Sequence, residues 1–86
     1  RTGQFADALA AFDRAIAAGR QNGLTYARRG AAKFALEDID GARADFDRAL
    51  ELATPAERQE VEMNAQEFES LLRQRGVPEE SRRGTP

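Results

Sequence analysis

Residues 39–50, "IDGARADFDRAL", restate residues 5–16, "FADALAAFDRAI", at an offset of 34 positions. Ala8/Ala42, Ala10/Ala44, Phe12/Phe46, Asp13/Asp47, Arg14/Arg48 and Ala15/Ala49 are identical, Phe5/Ile39 and Ile16/Leu50 stay apolar, and no gap is needed. Self-similarity at such a period is the signature of one structural unit stacked on its neighbour. The apolar positions are Phe5, Ala8, Leu9, Phe12, Ala15 and Ile16 in the first copy, and Ile39, Ala42, Phe46, Ala49 and Leu50 in the second. They recur at i, i+3, i+4 and i+7, which is one face of an α-helix, so both copies are expected as amphipathic helices.

The segments around them follow from their punctuation. "NGLTYARRGAAKFAL" (22–36) reads as a helix entered through Asn22 as N-cap, with Leu24, Ala27, Ala31, Phe34 and Ala35 on its apolar face. Gly30 inside it costs about 1 kcal/mol relative to Ala, and close approach of a neighbouring helix is the expected reason for it. The connection "EDID" (37–40), with Asp38 as the next cap, is so short that adjacent helices must run antiparallel. Thr54, Pro55 and Glu57 make a capping box with proline at the first helical position, opening a last helix that is expected to reach Arg75 before Gly76 and Pro78 stop it. Its apolar stripe is Val61, Ala65, Phe68, Leu71 and Leu72. "VPEESRRGTP" (77–86) holds too few apolar groups to fold alone and is expected to be a flexible tail.

Composition narrows the function classes. With 13 basic against 15 acidic residues the net charge is −2, which provides no field for phosphate backbones, so neither nucleic acid nor an anionic membrane is an expected partner. The chain has neither Cys nor His, and so lacks thiolate chemistry, disulfides, the commonest metal ligand and the usual neutral-pH base. No apolar run approaches the roughly 18 residues of a membrane span, and no signal-peptide pattern opens the chain, which is expected to be soluble, in cytoplasm or periplasm. Twelve of the 13 basic residues are Arg and Ala is abundant; this fits either a GC-rich bacterial genome or selection for helix formers.

A 34-residue unit of two antiparallel helices resembles the tetratricopeptide repeat family. Residues 23–56 resemble one whole repeat through Tyr26, Gly30, Ala42, Phe46 and Ala49, while Gly3, Phe5, Ala8, Phe12 and Ala15 in residues 3–20 resemble only the second helix of a preceding one, whose first helix would lie before Arg1. Residues 54–76 resemble the helix that caps such arrays. Arg29, Lys33 and Glu37 depart from the family pattern, standing where Leu, an aromatic and Gly are frequent, and Arg20 replaces a frequent Pro. The resemblance implies an all-α solenoid of helical hairpins, with residues 1–76 as one domain of about four helices (3–20, 23–53 as the complete repeat, 54–76 as the cap).

The same resemblance implies a non-catalytic module that holds a peptide or helix in a concave groove. Its lining is assigned to Gln21, Asn22, Leu24, Ala27, Arg28, Ala31, Phe34 and Ala35, with Arg28 the cation best placed to reach a ligand. Relatives that clamp a peptide C-terminus carry Lys and Asn where this chain has Ala27 and Ala31, which argues against that ligand class.

No constellation for catalysis, cofactor or metal stands out. Asp13/Arg14 and Asp47/Arg48 are expected on solvated faces as exposed ion pairs, and Glu37, Asp38 and Asp40 lack the ligand spacing of a calcium loop. Ser70 and Ser81 have no visible base, and Arg82 and Arg83 ahead of Thr85 match a kinase pattern too short to weigh against a solvated tail. Two alternatives stand beside the groove reading. One is a homodimer through the open N-terminal repeat face; the other is a regulatory or targeting segment of a larger protein.

Overall fold

The computed structural model describes residues 2–76. They form four helices, α1 (Thr2–Ala17), α2 (Gly23–Ala35), α3 (Ile39–Leu52) and α4 (Pro55–Gln74), with no strand among the described residues. The segment 77–86, read above as a flexible tail, lies outside the described residues, as does its kinase-like pattern.

The starts of α2, α3 and α4 are set locally. Asn22 holds an extended backbone and its Oδ1 accepts from the Thr25 N–H and hydroxyl, both at 2.8 Å. Asp38 Oδ1 accepts from the Gly41 N–H at 3.0 Å. At α4 the Glu57 N–H donates to Thr54 Oγ1 at 3.3 Å while the Thr54 N–H donates to Glu57 Oε1 at 3.2 Å. Pro55 follows at the first position, where a missing N–H costs nothing. Each such cap satisfies backbone donors that the helix leaves unpaired and contributes about 1 kcal/mol.

The helix ends are equally local, and one of them departs from expectation. α1 was expected to reach residue 20 but stops at Ala17, because Gly19 turns left-handed (φ 101°) and the Arg20 and Gly19 N–H groups close back onto Ala15 and Ile16 at 2.9 and 3.0 Å. Gly76 ends α4 in the same conformation (φ 77°), after Arg75 has served as the cap. At the end of α2 the left-handed residue is Glu37 (φ 69°), with the Glu37 N–H on Phe34 O and the Asp38 N–H on Lys33 O at 3.0 and 2.8 Å. This is the backbone turn that glycine usually closes.

α2 and α3 form an antiparallel hairpin in intimate contact. At the start of α2, a Cβ on Gly23 would lie 2.9 Å from Ala49 O and 3.0 Å from Ala53 Cα; further along, one on Gly30 would lie 3.1 Å from the Phe46 ring and 3.2 Å from Ala42 O. The reversal of order along the two helices fixes their direction, and the missing Cβ at Gly30 is what admits the ring. The buried core is Ala27, Ala42, Phe46, Ala49, Ala53, Val61, Phe68 and Leu72, so it belongs to α2, α3 and α4. Phe68 of α4 stacks on Phe46 at 4.8 Å (27°) and meets Phe34 edge-on at 5.4 Å (89°). That aromatic contact fastens the last helix onto the hairpin, each pair adding about 0.5–1.5 kcal/mol beyond its buried area.

The repeated Asp13, Arg14, Asp47 and Arg48 are all exposed, as expected of a solvated face, but Asp and Arg do not pair with one another. Asp13 accepts from Arg29 Nη1 at 3.0 Å, Arg48 donates to Glu51 at 3.0 Å, and Asp47 stands beside a cleft between α3 and α4. The more consequential acid is Asp45, which is 3% exposed and which lacks a counterpart in the first copy, where Ala11 stands. Arg29 Nε and Nη2 grip its two oxygens at 2.8 and 2.9 Å and Lys33 Nζ lies at 3.3 Å. Arg29 and Lys33, the two departures within α2 from the family pattern, are therefore the counter-charges of a buried carboxylate. A bidentate fork with a second cation compensates the desolvation that would otherwise exclude Asp45 from this position.

Candidate interaction cleft

The faces that α2 and α4 leave uncovered meet in a cleft of about 620 Å³. α2 contributes Ala27, Arg28, Ala31, Phe34 and Ala35; α4 contributes Glu60, Asn64, Glu67, Phe68 and Leu71; Phe5 of α1 and Phe46 complete the lining. Alanines at i and i+4 on α2 keep the floor shallow, and the aromatic contact that joins α4 to the hairpin fixes the spacing of the walls. Both helices enter through a side-chain cap, so their starts are fixed relative to this cleft.

The rim is polar. Arg28 Nη2 lies 3.9 Å from Glu60 Oε2 across the opening, and both side chains are more than half exposed, so the pair contributes little and yields readily to a ligand. Asn64 and Glu67 extend that rim along α4. At the far end the Arg75 guanidinium sits 4.5 Å above the Phe34 ring and donates to Glu37 at 2.7 Å, fixing the orientation of a cleft-lining aromatic. On the side of α2 turned to α1 and α3, the hydrogen bonds from Arg29 to Asp45 foremost, with the Asp45 charge and Asp13 adding, hold the Arg29 guanidinium beyond the ordinary arginine range against the opposing effect of burial.

Five of the eight residues assigned to the groove, Ala27, Arg28, Ala31, Phe34 and Ala35, are brought together here. The other three lie elsewhere: Leu24 packs half-buried against the core, Asn22 is engaged as the α2 cap, and Gln21 is exposed in the turn before it. The α4 wall went unread, although Glu60, Asn64, Glu67 and Leu71 are spaced i, i+4, i+7 and i+11 and so share one edge of the helix beside its buried stripe. Phe5, expected on a packing face, is 39% exposed and reaches the edge of the cleft.

A second cleft of about 410 Å³ lies between α3 and α4 with Arg43, Asp47, Gln66, Glu69 and Arg73 about its walls. Arg43 donates to Glu69 at 3.2 Å and lies 5.5 Å over the Phe68 ring. Among the described residues no group of three or more carboxylates could hold a metal ion; Asp38 of the acidic cluster is a helix cap. No helix among them is long and apolar enough to cross a membrane.

Comparison with known proteins gives a partial likeness. No family model matches the chain and no solved structure matches it. RNA polymerase II-associated protein 3 of Xenopus laevis is 44% identical over 52 residues, and that of Mus musculus 46% identical over 52. The matched stretch covers 60% of this chain but only 8% of either relative. Both relatives are vertebrate, which lends nothing to the bacterial origin read from composition.

Proposed function

We propose that this chain is a non-catalytic protein-interaction module of the tetratricopeptide repeat type, which holds an extended peptide or a helix in the cleft between α2 and α4. The observation that carries the reading is the cleft's make-up: a small-residue, aromatic-backed floor with a charged rim standing on two capped, mutually packed helices. Such a surface supplies apolar area for affinity and rim charge for selectivity. A side chain entering over Ala31 meets Phe34 and Phe68, while Arg28, Glu60 and Glu67 select among the ligand's charges. The likeness to a protein named for its association with RNA polymerase II supports a role in protein association. No group in the cleft is proposed to carry chemistry; nucleic acid is not proposed as a ligand.

The test uses peptides selected by display against the full chain and then titrated by calorimetry. Ala31→Arg fills the floor from an exposed position, so helicity stays and affinity falls by at least about tenfold, the loss expected when a small buried contact is blocked. Glu67→Lys should change which peptide charges are preferred. Peptides that bind both variants as tightly as the parent would refute the cleft as the binding surface.

A further inference from the structure

The cleft between α2 and α4 is electrically lopsided along its length. Arg28 lies against Glu60 and, further along, Phe34 against Phe68, so the two helices run parallel across it. Their C-terminal ends, and with them the negative poles of two helix dipoles, come together at the end lined by Phe34, Ala35 and Leu71. The charged residues of the lining are one base and two acids: Arg28, Glu60 and Glu67. Arg28 and Glu60 answer each other in the N-terminal half. Glu67, one turn before Leu71, is exposed and has no ion pair or hydrogen bond with any described residue. The cations at the ends of the two helices have carboxylates of their own. Lys33, in the last turn of α2, lies 3.3 Å from Asp45, and Arg75, the cap of α4, lies 2.7 Å from Glu37.

We propose that the ligand of this cleft is a basic, apolar peptide segment, with an apolar side chain seated over Ala31 and a Lys or Arg paired with Glu67 towards the C-terminal end. This rests on the cleft reading above and adds the sign and the place of the ligand's charge. In the register set by the two cross-cleft contacts, Ala31 stands opposite Asn64, and Glu67 follows Asn64 by three residues, about 4.5 Å along the helix. Side chains on one face of an extended peptide are about 6.8 Å apart, and those one turn apart on a helix about 5.4 Å. The flexible stem of Lys or Arg makes up either difference. The cation therefore belongs two positions from the apolar anchor in an extended ligand, and three or four in a helical one. A seated ligand also removes water from around Glu67, which strengthens the pair over one on an open surface. Within the lining an acidic ligand has only Arg28 to address, and must part it from Glu60 to do so.

The test uses random twelve-residue peptides selected by display against the full chain, then synthesised with blocked ends and titrated by calorimetry. The selected peptides should carry Lys or Arg at one of those spacings from an apolar residue. Replacing that basic residue by Gln should weaken binding by about threefold to fivefold, the size of a rim ion pair, and replacing it by Glu by about tenfold or more. On Glu67→Lys the order should invert, with the Glu peptide bound more tightly than the basic one and the helicity of the chain unchanged, since Glu67 is exposed. Peptides that lose affinity on Ala31→Arg but carry no basic residue, or bind as well with Glu in its place, overturn this proposal and leave the cleft reading standing. A basic preference that persists in Glu67→Lys overturns it equally. Peptides indifferent to Ala31→Arg, or a selection that yields no binder, bring down both.

Discussion

Glu37 offers a test of how backbone conformation and ion pairing divide the stability of a turn. Three of the four helices among the described residues end on a left-handed residue; at α1 and α4 it is Gly19 and Gly76, and at α2 it is Glu37 with φ 69°. A side chain in that region costs about 1–2 kcal/mol, from which the greater freedom of glycine in the unfolded chain removes about 0.5–1. Glu37 also accepts from Arg75 at 2.7 Å, but the two side chains are 68% and 43% exposed, which limits that pair to roughly 0–1 kcal/mol. Comparing Glu37→Gly with Glu37→Ala cancels the ion pair, since both variants lose it, and isolates the backbone. The glycine variant should be more stable than the alanine variant by about 0.5–1 kcal/mol, a shift of roughly 2–8 °C in Tm for a chain of this length. Urea unfolding followed by circular dichroism measures the difference directly. If the alanine variant equals or exceeds the glycine variant, the strain reasoning at this turn is wrong.

Two further substitutions probe the packing that positions the cleft. Asp45→Asn leaves Arg29 and Lys33 without their counter-charge and should cost about 2–4 kcal/mol in urea unfolding, below the full penalty of a wholly buried pair because both cations are 19% exposed. Raising salt on the parent chain should reproduce little of that loss, since a buried pair is weakly screened. Gly30→Ala improves helix propensity by about 1 kcal/mol yet places a methyl 3.1 Å from the Phe46 ring, so overpacking of about 1–3 kcal/mol should leave it no more stable than the parent. An increase in Tm for Gly30→Ala would show that the ring gives way freely.

Much of the architecture could be read from short-range chemistry. Asn22, Asp38 and the Thr54–Glu57 box act between residues three apart, so their signals are complete within the sequence, and the caps stand where those signals put them. Gly30 was legible for a related reason: its cost inside a helix demanded a neighbour, and Phe46 supplies it. Asp45 was not legible, because its partners Arg29 and Lys33 lie on another helix and its own copy in the repeat is Ala11. Half of the cleft escaped for the same cause. The α2 wall follows from one helix's periodicity, whereas the contribution of Glu60, Asn64 and Glu67 depends on how Phe68 seats α4 against Phe34 and Phe46.

Arg29 touches three helices at once, reaching from α2 to Asp13 on α1 and Asp45 on α3. α3 is also held by a buried core, whereas α1 has only the half-buried Ala8, Leu9, Phe12, Ala15 and Ile16, so the contact at Asp13 adds to a shallow packing face. Amide protons of α1 should therefore exchange by local opening at a free energy below that of α2 and α3, whose buried residues belong to the core.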